Sequence, residues 1–196
     1  LASTTDMAAL RLVWVVGGRL KTWGRFYLPE DAVTPRTQRG NVPYQRWEKA
    51  GHIVTTPGNV IDYAYIERDV MAVLDRFSVR EVAYDPWNAT DFAIRLQGQG
   101  APMVEFRQGI PSYAAPMRAI ERHYTGSTFD HAGDPVLTWN ASNVVARTDE
   151  NENKAPSKKN SPEKIDGFCA LLMALGRALV NENRESVYET RGIRTA

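Results

Sequence analysis

Two carboxylates stand where a carboxylate is costly. Asp166 lies in Ile165-Asp166-Gly167, directly ahead of the apolar run Phe168-Cys169-Ala170-Leu171-Leu172-Met173-Ala174-Leu175. Asp85 closes a second apolar stretch, Val79-Arg80-Glu81-Val82-Ala83-Tyr84. An unpaired charge beside a core segment is expensive, so two such acids point to a bound cation and to metal-assisted chemistry. Each also has a plainer reading. Asp166 can be an acid favoured by the positive end of a helix, and Asp85 can open a turn at Asp85-Pro86. Spacing alone leaves both readings open.

Other residue types narrow the field. The single cysteine, Cys169, sits inside the apolar run; it rules out an internal disulfide and a cysteine-based zinc site, and it reads as a buried, inert thiol. Such cysteine usage is consistent with a reducing compartment. A Gly-x-x-x-x-Gly-Lys-Ser/Thr phosphate loop is missing, which excludes an ATPase of that kind in this stretch. A formal charge of +1 neither demands nor excludes a polyanionic partner. No apolar run approaches the ~20 residues that span a bilayer, and no basic-then-apolar leader is visible. His131 reads as a capping or core residue. Asp62 reads as a helix cap and Asp134 as a turn former before proline. Trp87 and Asn88 are expected to pack a wall beside Asp85, and Trp139 to belong to the core.

The elements that must position the acids can be read in order. Met7 to Val16 and Lys21 to Leu28 flank Gly17-Gly18 as an antiparallel hairpin. Pro29 to Pro43, with three prolines, reads as a loop. A short helix is expected over Tyr44–Ala50 and a strand over His52–Thr56. Ile66, Val70, Val73, Leu74 and Phe77 recur at helical spacing. Val79–Tyr84 and Met103–Phe106 read as strands, Ala89–Gln97 and Ser112–Tyr124 as helices. That alternation implies an α/β layer fold with partly parallel pairing. Asp134–Val145 reads as extended and Asp149–Asn160 as a polar turn or mobile loop. Ser161-Pro162-Glu163 has the pattern of a helix start, with the helix running to about Leu179 or Val180. A 196-residue chain allows one domain with a real core. It is expected over residues 1–180, followed by a polar tail over 181–196.

Several segments form a set: Leu1-Ala2-Ser3-Thr4-Thr5-Asp6, Tyr84-Asp85-Pro86-Trp87-Asn88-Ala89, His131-Ala132-Gly133-Asp134-Pro135, Asn143-Val144-Val145, Pro156-Ser157-Lys158-Lys159-Asn160-Ser161 and Lys164-Ile165-Asp166-Gly167. In this order the chain resembles the C-terminal nuclease domain of the large terminase subunit of tailed bacteriophages and prophages. The resemblance implies an α/β, ribonuclease H-like fold: a mixed central sheet, an antiparallel meander followed by parallel strands, with helices on both faces. It implies cleavage of double-stranded DNA concatemers in the host bacterial cytoplasm, using two Mg²⁺ or Mn²⁺ ions. The implied partners are an ATPase domain in the same subunit, the small terminase subunit and the portal, with no membrane.

Hard divalent ions prefer oxygen ligands. The resemblance assigns metal-ligating acids to Asp85 and Asp166, and a further acid to the position directly before Leu1. The chain opens without Met and reads as a piece of something longer. Asp6, the later acid of that first segment, either approaches the metals or caps a turn. Lys158 and Lys159 read on residue type alone as solvated loop charge; the resemblance makes them DNA contacts, beside a hairpin whose tip is Asp149–Lys154. Arg36, Arg39, Arg46 and Lys49 could extend a DNA track. The alternative is a catalytically impaired ribonuclease H-like module that binds DNA or the portal and lacks the first acid. A small-molecule α/β domain would want a glycine-rich strand-to-helix turn, which is missing here.

Overall fold

The computed structural model describes residues 6–40, 42–87 and 89–189, with the side chains at 39–40 and 183–189 outside that description. Leu1–Thr5 and Asn88, both quoted above, and the last part of the expected tail lie outside the described residues.

The hairpin forms as expected. β1 (Ala8–Val16) and β2 (Arg19–Pro29) pair antiparallel from Ala8↔Tyr27 to Val16↔Arg19. Gly17 and Gly18 close it with φ of 57° and 73°, a left-handed pair that side chains resist. The Pro29–Pro43 loop is corrected to a helix, α1 (Glu30–Gly40), with Pro35 inside it. Pro35 and the polar run hide the helical period; Val33, buried at 3 % exposure, ties the helix to the core. α2 (Tyr44–Lys49) leads to β3 (Ile53–Thr56), which joins β2 in parallel, Phe26↔Ile53 to Pro29↔Thr56. The crossover through α1 and α2 returns the chain in the same direction. The antiparallel part of this sheet therefore consists of β1 and β2 among the described residues.

α3 (Tyr63–Arg76) is capped as expected, the Asp62 side chain accepting from the Ala64 N–H at 2.9 Å. β4 (Val82–Tyr84), α4 (Thr90–Gly98) and β5 (Met103–Glu105) follow, β4 and β5 pairing in parallel. α5 (Ile110–Thr125) leads to β6 (Phe129–Asp130), a two-residue strand beside Leu20 and Lys21 that is too short to announce itself in sequence.

The extended reading of Asp134–Val145 is overturned by α6 (Pro135–Ser142). Asp134 accepts from the Val136 and Leu137 N–H groups at 3.0 Å each, with proline at the first helical position. The polar segment after it is a hairpin, β7 (Ala146–Thr148) with β8 (Lys154–Pro156). The last helix, α7 (Asp166–Glu189), starts later than Ser161-Pro162-Glu163 suggested and runs past Val180 through part of the expected tail. The Ser161 hydroxyl is used elsewhere: it donates to the Ser157 carbonyl at 2.8 Å and accepts from the Val145 N–H at 3.1 Å. It pins the turn after β8 instead of capping a helix.

Helices cover both faces of the β1–β2 ribbon. Alternation along the strands sends Leu20, Phe26 and Leu28 into a core with α1, α2, α5, α6 and α7. Ala8 and Tyr27 face the other way, toward Ile66 and Val70 of α3 and Phe92 and Leu96 of α4. Tyr44, Trp47 and Trp139 stack edge-on or tilted at 5.5–5.7 Å, which places Trp139 against the core as expected. Between β1 and β4 lies a cleft of about 1130 Å³, lined by Met7–Val15 on one side and Val79–Tyr84 on the other. Among the described residues, β1 pairs only with β2 and β4 only with β5.

Candidate active site

β4 delivers Asp85 to its carboxyl end. The Asp85 carboxylate accepts from the Trp87 N–H at 3.2 Å, so the turn-opening role is realised as well. Trp87 itself is 85 % exposed and packs no wall, a correction to the expectation: the turn at Pro86 throws its side chain outward.

Asp166 is the first residue of α7, and tertiary contacts hold it there. The buried Asn140 side chain of α6 accepts from the Gly167 N–H at 2.8 Å, and its amide donates to the Val136 carbonyl at 3.1 Å. One of the orphan donors of the helix start is thus satisfied from another helix. A Cβ on Gly167 would stand 2.3 and 2.5 Å from two carbons of the Phe26 ring, so only glycine lets α7 lie this close to β2. Farther along, Arg177 forks onto Glu81 at 2.6 and 3.1 Å, tying α7 to the segment that leads into β4.

Asp85 and Asp166 both act on one pair of buried groups. Tyr113 of α5 and Cys169 of α7 are buried at 2 % and 3 % exposure. Burial drives the Tyr113 phenol far up, and Cys169, Asp85 and Asp166 add to the shift. Burial likewise pushes the Cys169 thiol up to about 11; Lys158 opposes this, and Asp166 and Asp85 reinforce it. Both carboxylates thus lie within electrostatic reach of the same buried pair. The Tyr113 hydroxyl has no hydrogen-bond partner of regular geometry. Cys169 is inert, as its place in the apolar run suggested.

Lys158 stands on Asp166, its ammonium donating to the carboxylate at 2.7 Å; the lysine side chain is 50 % exposed and the acid 12 %. Burial would lower the lysine, but the Asp166 charge and hydrogen bond outweigh it and hold Lys158 above its ordinary value. Lys159 beside it is exposed.

Asp6 is engaged differently. Lys164 reaches its two oxygens at 2.7 and 2.9 Å, Arg36 approaches at 3.6 Å, and the Met7 N–H donates at 2.8 Å. Burial pushes the Asp6 carboxyl up, yet these donors together hold it below its ordinary value. Among the described residues, no three His, Cys, Asp or Glu side chains form a group able to hold a metal ion. Asp6 is thus engaged by two side-chain cations of its own.

The donor set still has the right chemistry. Two carboxylates suit a hard divalent cation, and the Lys158 ammonium already stands on Asp166 as a positive charge would. Tyr113, Asn140 and Lys164 were not assigned roles from sequence. Lys164 lies inside the Lys164-Ile165-Asp166-Gly167 segment and could have been found; nothing local marks the other two. Arg46 and Lys49 are exposed on α2, and the Arg39 side chain is outside the described set. Asp134 caps α6 and pairs with the buried Arg11. His131 stacks on Phe129 at 5.6 Å.

Residues 4–182 match the family described as "Terminase large subunit, endonuclease domain". The chain is 31% identical over 180 residues to Protein YmfN of Escherichia coli K12, covering 87% of this chain and 40% of that protein. It is 30% identical over 155 residues to the terminase large subunit of Enterobacteria phage HK97, covering 78% and 31%. The crystal structure of the HK97 bacteriophage large terminase superposes with a TM-score of 0.82 at 28% identity, over 89% of this chain and 37% of that one. The chain thus spans well under half the length of these relatives.

Proposed function

The chain belongs to the family of terminase large-subunit endonuclease domains and has their ribonuclease H-like fold, and from that premise we propose a metal-dependent endonuclease that hydrolyses phosphodiester bonds of double-stranded DNA concatemers during genome packaging. What supports the metal-dependent reading is that Asp85, at a strand end, and Asp166, at a helix start, both act electrostatically on the buried Tyr113 and Cys169. A pair of Mg²⁺ or Mn²⁺ ions, when bound, would supply charge stabilisation and an activated water.

The residues of the chain do the rest. Asp85 and Asp166 offer the hard oxygens. Tyr113 and Cys169 are the buried groups on which both carboxylates act. Lys158 and Lys159 present positive charge to the DNA backbone. Lys164 and Arg36 hold Asp6. In the longer protein the same reading places an ATPase domain, the small terminase subunit and the portal as partners in the host bacterial cytoplasm. No helix among the described residues is long and apolar enough to cross a membrane.

A second reading is a DNA- or portal-binding module that does not cut. One assay separates the two. The full-length protein is incubated with supercoiled plasmid and Mn²⁺, alongside Asp85→Ala and Asp166→Asn. The nuclease reading expects nicked and linear product from the parent and a loss on the order of a hundredfold or more in each variant, the scale of metal-supplied charge stabilisation. Cutting that survives either substitution refutes the assigned site, and binding without cutting selects the module.

A further inference from the structure

We propose that Lys158 is a resident counter-cation of Asp166, which an incoming divalent ion must displace, so that metal loading frees a lysine for the DNA backbone. The inference rests on the reading of Asp166 as a metal ligand and adds a coupling to it.

The local architecture separates a fixed frame from one movable arm. The backbone around Lys158 is tied down: the Ser157 N–H donates to the Val145 carbonyl at 2.9 Å, the Asn160 N–H to the Ser157 carbonyl at 3.2 Å, and the Ser161 N–H and hydroxyl to that same carbonyl at 3.0 and 2.8 Å. Asp166 is equally fixed, because Asn140 and Phe26 set the first turn of α7. What can move is the lysine's four-carbon stem, half exposed, with its ammonium 2.7 Å from the carboxylate. A partly exposed ion pair of this kind is weak and exchanges readily.

A divalent ion on Asp166 would replace that attraction with repulsion between two cations a few ångströms apart. Lys158 and Asp166 both line the cleft, so a released ammonium stays at its mouth, where a phosphate bound to the ion would meet it. Empty, the site is neutralised by its own lysine; loaded, it gains a cation facing DNA. Lys164 on Asp6 repeats the pairing at the neighbouring acid.

The test measures Mn²⁺ binding by isothermal titration calorimetry on the full-length protein, with nucleotide omitted. Lys158→Met, Lys154→Met and Asp166→Asn are compared with the parent, and circular dichroism confirms that each is folded. Lys154 supplies a control of equal charge change on the same segment, since it pairs with Glu121 of α5 at 2.9 Å. Lys158→Met should bind Mn²⁺ about fivefold more tightly, the equilibrium worth of an exposed ion pair, Lys154→Met should match the parent, and Asp166→Asn should lose the site. Reductive ¹³C-methylation adds a second readout: the dimethyl-Lys158 resonance, identified by its absence in Lys158→Met, should move on Mg²⁺ addition. If Asp166→Asn abolishes binding but Lys158→Met binds no tighter than the parent, or tightens no more than Lys154→Met, the displacement is overturned and the metal site stands. If Asp166→Asn binds like the parent, the metal-site reading itself falls.

Discussion

Gly167→Ala is the most informative single methyl in this domain. The added carbon would lie 2.3 and 2.5 Å from two atoms of the Phe26 ring and 3.3 Å from the Asn140 amide oxygen. Ordinary carbon contacts need about 3.5–4.0 Å, so the ring must retreat by more than an ångström. It has nowhere easy to go: Phe26 is fully buried, and the Arg11 guanidinium lies over it at 4.7 Å. Overpacking of this kind costs about 1–3 kcal/mol. Alanine recovers up to about 1 kcal/mol of helix propensity, less in a first turn. The net expectation is a loss of about 1–2 kcal/mol, a fall in Tm of about 2–8 °C for a chain of this size. Thermal and urea unfolding followed by circular dichroism measure it. Phe26→Leu supplies the second arm. Its cost should shrink in the Gly167→Ala background, with a coupling of at least about 0.5 kcal/mol. A Gly167→Ala protein that melts at or above the parent, or strictly additive substitutions, would refute the close approach of α7 to β2. The position of Asp166 would then need another explanation.

Two further outcomes follow from charges the fold has buried or paired. Asp134→Ala strips the partner from Arg11, whose side chain is 1 % exposed, and removes the cap of α6. It should cost about 3–5 kcal/mol in urea unfolding, and adding Arg11→Met should recover part of that loss; a double variant weaker than the single one would contradict the pairing. Asp6 is held below its ordinary value, so its contribution to stability is full above the unfolded carboxylate value and is lost as pH falls through the lower folded value. Asp6→Asn should therefore flatten the stability profile below about pH 4 and leave its shape near neutrality unchanged; an unaltered acid limb would remove Asp6 from the account.

Much of the frame is local and therefore legible. A glycine pair able to take positive φ closes the β1–β2 hairpin. The spacing of Ile66 and Val70 marks the buried face of α3, and Asp62 marks its start. Asp85 and Asp166 could be placed at a strand end and a helix start because the apolar runs beside them have clear edges. Where local signals compete, the reading fails. Pro35 and a polar run concealed α1. The cap and proline at Asp134-Pro135 were read as a turn because the helix they begin is short. Ser161-Pro162 has the form of a helix start, but the Ser161 hydroxyl serves the turn after β8 instead.

What the sequence by itself determined is the inventory: two acids beside apolar runs, the lysines around them, and the order of strands and helices that belongs to one nuclease family. Tertiary structure decided what stands against each of those acids. α7 settles against β2 only because Gly167 clears Phe26 and Asn140 reaches the helix end. That docking sets Asp166 beside Lys158 and leaves Asp6 to Lys164. Spacing along a chain fixes which face of an element is apolar. The partner of a side chain from a distant element depends on how those elements pack, and no local pattern encodes it.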